Sequence, residues 1–234
     1  MERFGPNNGT ERKDVVRGIR PVLWRVREEP WKIFSAAAGL LNGLWHRLKY
    51  LWNPRIRFGR WPRIRGRLVI LGPGRVTIGD YAWIDSLSTG TTIIKTHRPT
   101  AEVTLGHWCG LNGTRLHCFE RITIHDLSNI ADAYIVDSPA HSLAADRRMI
   151  PEKYLPTAPV EIGPNVWISV NTVVLHGVVI GENSVVGACT LVRDSVPANV
   201  FVAGNPLRVI RSIPERTSSS EGVQGFKKSQ RNKA

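Results

Sequence analysis

Cysteine is scarce, and its three copies, Cys109, Cys118 and Cys189, stand far apart. An odd number without close pairing builds neither a disulfide framework nor a CxxC redox or zinc motif, so a reducing cytoplasm is the compartment expected of the chain. Long hydrophobic runs are missing as well. The longest apolar stretch, Ile33 to Trp45, is far too short to span a bilayer, and the first 20 residues are polar and charged where a secretory leader would be apolar.

Acidic residues are also few, 19 against 32 Lys and Arg, for a net charge of +13. The excess is uneven. Residues 1–67 hold 16 basic against 5 acidic residues, residues 68–213 hold 11 against 12, and residues 214–234 hold 5 against 2. A nucleic-acid binder would be expected to carry its charge on the folded core, and here that part is nearly neutral. Nucleic acid is therefore not an expected partner, and the basic ends suit surface association or solubility.

What is present is an internal repeat. From Ile162 onward an aliphatic residue recurs every six positions, at Ile162, Ile168, Val174, Ile180, Val186 and Val192. Two places before each stands a small or β-branched residue: Val160, Val166, Thr172, Val178, Ser184 and Thr190. A period of six fits no long helix or strand. It does fit short strands joined by tight turns, three to a coil of a triangular prism whose aliphatic residues point inward. Gly163, Gly181, Gly187, Asn165, Asn171 and Asn183 fall where such turns demand positive or unusual φ. Upstream the phase continues less perfectly through Phe58, Ile64, Ile70, Ile78, Ile84, Leu105, Leu111, Ile124, Ile130 and Val136. Residues 85–102 and 137–159 break the period and are expected to loop out. A one-residue irregularity is expected near His117, where an aliphatic residue is due.

The expected organisation is a basic, Trp-rich helical leader over 1–55, a β-helix over 56–213 with an extruded loop at 137–159, and a disordered tail over 214–234. Residues 15–52 read as one or two amphipathic helices in which Trp24, Trp31, Trp45 and Trp52 alternate with Arg and Lys. Such a segment can lie on an anionic membrane or pack as a cap over the first coil.

The stretch from Ile122 to Ile213, with "NVWIS", "GACTLV" and "AGNPLRVIR", resembles the hexapeptide-repeat O-acetyltransferases acting on maltose, galactosides, nodulation factors and colanic acid. The resemblance implies a left-handed parallel β-helix, a homotrimer with sites between neighbouring prisms, acetyl-CoA as acyl donor and a catalytic His on an extruded loop. That position is His141, in "DSPAHSLAADRR". Acyl transfer from a thioester to an alcohol needs a base and oxyanion stabilisation but no metal, and His is the usual base near neutral pH. Asp137 and Asp146 are both candidates to orient the imidazole, and both also read as solvated loop carboxylates.

Asn112 matches a residue near the acyl group. Trp167 falls between inward positions and is expected to face outward and wall the cofactor cleft. Ser169, Val170 and Ala188 match positions lining the CoA channel, and Arg193, Arg208 and Arg211 match positions near the adenosine phosphates. The chain departs from the family pattern at His117 and Cys118, where relatives carry an acidic pair, and at Asp194, where many carry Lys. His117 reads as core-facing and hydrogen-bonded, or as a second polar group of the cleft.

The resulting expectation is an acetyl-CoA-dependent O-acetyltransferase of a sugar hydroxyl in exported polysaccharide synthesis, at or near the inner face of the membrane. An amino-sugar or drug N-acetyltransferase is the alternative, followed by a non-enzymatic scaffold with a basic leader. The zinc hydratases of the same fold need a His pair five positions apart, and no two of the 7 histidines have that spacing.

Overall fold

The computed structural model describes residues 31–87, 89–139, 141–142, 144–151 and 154–214. Expectations for residues 15–30 and for the tail beyond Pro214 lie outside these residues. The described chain is one helix, α1 (Trp31–Lys49), followed by a left-handed parallel β-helix of triangular section.

Three parallel walls build the prism. Wall A takes strands Ile56–Phe58, Arg75–Ile78, Glu102–Leu105, Arg121–Ile124, Val160–Ile162 and Val179–Ile180. Wall B takes Arg63–Arg65, Trp83–Asp85, Gly110–Asn112, Asn129–Ala131, Trp167–Ile168, Val185–Val186 and Val200–Ala203. Wall C takes Leu68–Leu71, Thr92–Thr96, Arg115–Cys118, Tyr134–Val136, Val173–Val174 and Leu191–Val192. After Val200–Ala203 the chain reverses through a turn with a cis Asn205–Pro206 peptide, and Arg208–Ser212 closes wall B as an antiparallel strand.

The inward residues stack in register from coil to coil. On wall A Ile78, Leu105, Ile124, Ile162 and Ile180 form one column, and on wall B Ile84, Leu111, Ile130, Ile168 and Val186 form another. All are buried. Each is worth about 1.5–3 kcal/mol of burial, and only a neighbouring coil can cover it. The inward hydroxyls are satisfied internally: Thr114 donates to Ile130 O, Ser128 to Gly163 O and Thr172 to Gly187 O.

Four sequence expectations are corrected. On wall C the inward residue is Ile135, paired with Leu116 and Val174, so Val136 faces out and packs with Phe119 and Leu155. The cause is a B-to-C turn one residue shorter in these coils: Leu116 follows Leu111 by five, whereas Val174 follows Ile168 by six. Residues 85–102 are not one loop, because Thr92–Thr96 returns to wall C with Ile94 inward, leaving two smaller excursions. Asn165, Asn171 and Asn183 do adopt positive φ, but Gly163, Gly181 and Gly187 do not. Gly181 answers to crowding instead, since a Cβ there would lie 2.4 Å from Ala198 N. Finally, His117 is not core-facing, because the same shift turns Leu116 and Cys118 inward and His117 out.

The extra residues after Leu116 are bracketed by Asp137. Its buried carboxylate accepts the backbone N–H groups of Phe119, Glu120 and Arg121, each at 2.7 Å. A buried anion held by backbone donors costs the fold dearly when removed, because the donors are left unpaired. Asp137→Ala is therefore expected to lower unfolding free energy by about 2–4 kcal/mol, and Asp146→Ala, on the exposed loop, by under about 0.5 kcal/mol. Denaturant melts of the two variants check this, and equal midpoints would contradict it.

Candidate active site

Wall B carries a groove of about 340 Å³ lined by Trp167, Ser169, Val185, Val186, Gly187, Ala188, Phe201, Arg211 and Ile213. It forms because Trp167, Val185 and Phe201 occupy one outward row on successive strands. The closing strand then folds Arg211 against Phe201. Trp167 stands between inward Val166 and Ile168 and is about half exposed, as an outward wall requires. Gly187 lines the groove where the next strand packs closely, since a Cβ there would crowd Ala203 Cβ at 2.8 Å.

Of the residues singled out from the sequence, the groove gathers Trp167, Ser169, Ala188 and Arg211. Val170 lies on the adjoining turn, its carbonyl accepting the Cys189 N–H, and does not line the groove. Asn112 is higher on wall B, on the row that runs through Ala131 towards Ser169; two strand spacings put it about 10 Å along. Its Oδ1 is buried and has no hydrogen-bond partner among the described residues. Arg208 begins the closing strand, paired with Ala203, and is exposed beyond the lining. Arg193 is exposed too, and its Nε meets Asp194 Oδ2 at 3.3 Å. Val185, Gly187, Phe201 and Ile213 line the groove but were not singled out. The spacing of 18 residues from Trp167 to Val185 was the available signal.

His141 leaves from a different edge of the prism. Its loop runs from the end of a wall C strand at Val136 to a wall A strand at Val160. The stem is closed where Ala158 N donates to Asp137 O at 3.0 Å. The returning limb is held by Arg98, which donates to Leu155 O at 3.0 Å, by Thr157 on Glu120, and by Leu155 packed on Phe119 and Val136. The stem is thus fixed to the prism while His141 is exposed beyond it. Of the two carboxylates weighed as its partner, Asp137 is committed to the 119–121 backbone, and Asp146 is exposed at the start of the short 3-10 helix Arg147–Met149.

Beside this stem lies an aromatic and imidazole cluster. His97 stacks on Phe119 with centroids 3.9 Å apart, His97 Nε2 lies 3.4 Å from His117 Nδ1, and His117 stacks on Tyr134 at 5.0 Å. Burial, with His97, Lys95 and Arg115 nearby, holds the His117 imidazole below its usual pKa. His117 is thus a polar group on the outside of wall C, away from the wall B groove, and it stays neutral where an ordinary His begins to charge. Among the described residues no three His, Cys, Asp or Glu side chains are grouped as metal ligands.

Residues 159–194 match the family model described as bacterial transferase hexapeptide (six repeats). The chain is 34% identical over 143 residues to galactoside O-acetyltransferase of Escherichia coli (strain K12), covering 60% of this chain and 65% of that protein, slightly under two thirds of its length. It is 27% identical to the putative colanic acid biosynthesis acetyltransferase WcaF of the same organism, over 78% of this chain and 96% of that one. A solved variant of AntD, an N-acyltransferase from Bacillus cereus, in complex with dTDP-4-amino-4,6-dideoxyglucose and coenzyme A, superposes with a TM-score of 0.60. It is 25% identical and covers 78% of this chain and 96% of that chain. Fold and repeat define a hexapeptide-repeat β-helix protein. Within that class the chain is similar to the O-acetyltransferases of sugars.

The His117 environment sets a pH dependence. A lowered folded pKa means the unfolded chain binds the proton more readily. Stability contributed here is complete above the ordinary His value of about 6.5 and falls as pH drops from there towards the folded value. NMR titration is expected to give His117 a midpoint below about 6.5, and His117→Gln to flatten the stability profile just below that pH. An unchanged profile would contradict the assignment.

Proposed function

We propose that the chain is an acyltransferase that moves an acetyl group from acetyl-CoA to a hydroxyl of a saccharide, working as a cytoplasmic homotrimer. The observation that carries this reading is the wall B groove, which unites Trp167, Ser169, Ala188 and Arg211 beside Gly187. Its apolar sides suit a pantetheine arm, and the Arg211 guanidinium suits a phosphate. Arg208 adds charge beyond the groove, while Asp194 offsets that of Arg193.

Acyl-CoA supplies the activated thioester. His141 takes the proton of the acceptor hydroxyl as that oxygen attacks the acyl carbon, and returns it to the departing thiolate sulfur. One C–O bond forms and one C–S bond breaks, so no acyl-enzyme is required. Asn112, whose buried Oδ1 has no partner among the described residues, is a polar group on the same wall towards which the acyl end of the donor would extend. Trimerisation is supported by the separation within one chain: the groove belongs to wall B and the His141 loop to the edge between walls C and A, so a neighbouring copy can supply the missing half.

An amine acceptor is the second reading, favoured by the likeness to AntD, whose solved complex holds an amino-sugar nucleotide. The likeness to a colanic acid acetyltransferase supports an exported polysaccharide as the destination. Incubation with labelled acetyl-CoA and panels of saccharides and amino-sugars, read by mass analysis, decides between oxygen and nitrogen.

His141→Ala is expected to lower turnover by about two to four orders of magnitude with CoA binding nearly unchanged, the usual loss for a general base. Arg208→Ala is expected to weaken CoA binding more than it slows turnover. Wild-type activity in His141→Ala at saturating acetyl-CoA would remove His141 from the chemistry. Sedimentation at micromolar concentration is expected to show a trimer, and monomer alone would contradict the shared site.

A further inference from the structure

The helix α1 is fastened to the prism by one face only. Gly43 is buried so closely against wall B that a Cβ would overlap Pro62 O, and a Cβ on Gly39 would touch the Arg65 side chain at 3.0 Å. Asn42 Nδ2 donates to Ile64 O at 3.0 Å and to Gly66 O at 3.3 Å, while His46 and Tyr50 lie against Phe58. These residues recur at three- and four-residue intervals, so they form a single helical face, and that face is occupied.

The opposite face carries a second stripe at the same periodicity. Phe34, Leu41, Trp45 and Leu48 are all exposed, and Trp52, in the turn just past the helix, is 91% exposed. Spacings of seven, four and three residues keep the four helical side chains on one side, and Trp52 follows in the turn. Because the glycine seam and Asn42 pin the helix, it cannot roll to bury this stripe against its own prism. A contiguous aromatic and aliphatic surface of this kind marks an interaction site.

Charge decides what covers it. From residue 31 to residue 67 the chain holds nine Lys and Arg and no Asp or Glu. Asp80 and Asp85 neutralise Arg60 and Arg65, whereas Arg47, Lys49, Arg55, Arg57, Arg63 and Arg67 are exposed around the helix and the first coil. A second copy of the chain would bring this positive surface against itself. A nucleic acid would meet a stripe of Phe, Leu and Trp without a cation in it. An anionic bilayer answers both features, since its headgroups attract the basic rim while Trp, Phe and Leu enter the boundary between headgroup and acyl chain. Among the described residues no helix is long and apolar enough to cross a membrane, so contact is to one leaflet.

We propose that the exposed Phe34–Leu41–Trp45–Leu48–Trp52 face of α1, with the basic rim of the first coil, is a peripheral docking surface for anionic lipid. The inference does not depend on the acyl-transfer reading. It makes the leader both cap and anchor: one face closes the first coil and the other holds the prism at a membrane.

The test is co-sedimentation of the full chain with vesicles of phosphatidylglycerol and phosphatidylcholine, compared with phosphatidylcholine alone, for wild type and for the double variant Phe34→Ser/Trp45→Ser. Both substituted side chains are exposed, so thermal melts are expected to coincide and to report that the fold is intact. Wild type is expected to bind the anionic vesicles at least about tenfold better than the neutral ones, to release as salt rises from about 0.05 to 0.5 M, and to lose at least about tenfold in binding in the double variant. Absence of wild-type binding to anionic vesicles overturns the proposal. So does equal binding by the double variant, or a lipid-free wild type that sediments as a larger assembly than the variant, which would assign the stripe to contact between copies.

Discussion

The fold hangs on the stacking of inward aliphatic residues upon those at the same register position of the next coil. Columns such as Ile84, Leu111, Ile130, Ile168 and Val186 leave no freedom to slip, because a shift of one residue would turn each side chain from the core to solvent. Once the columns are set, the direction of every remaining side chain follows. Trp167, Val185 and Phe201 must face outward on wall B, and with the closing strand they make the groove.

The same constraint explains where the prism admits irregular chain. A coil can lose a residue at a corner, as it does between Leu111 and Leu116, provided the surplus on the next side is tied down. Asp137 does the tying by drawing the backbone of residues 119–121 onto one buried carboxylate. It stands four residues before His141, so the group that locks the irregular coil also sets the root of the loop that presents the imidazole. Arg98, Thr157 and Leu155 fix the other limb. Such parts combine a fixed groove with a loop whose stem is held to the prism and whose His141 is exposed, an arrangement that suits the proposed base.

Legibility in the sequence tracks this division between stack and exception. The run from Ile162 to Val192 repeats without error, so its inward residues and the outward Trp167 are legible directly. The positive φ of Asn165, Asn171 and Asn183 was equally visible, since asparagine tolerates that conformation. His117 and Val136 depart from the period because the corners before them, at Asn112-Gly113 and at Asp132, show in sequence that a turn is there but not that it is one residue shorter. Asp137 looked like any loop carboxylate, because its three donors are backbone groups near residue 120, which leave no trace in side-chain pattern. Thr92–Thr96 was hidden for a related reason: the strand is short and flanked on both sides by polar excursions. The anchoring of α1 through Gly39 and Gly43 was obscured by the more conspicuous tryptophans of its other face.

The proposed acyl-transfer site joins two halves, the wall B groove and the His141 loop. A crystal structure of the chain with CoA bound tests it most directly. The pantetheine arm is expected beside Trp167 and Ala188, with its thiol end within reach of a His141 imidazole from a neighbouring copy. CoA bound away from this groove, or a thiol end that no His141 of the assembly can approach, would contradict it.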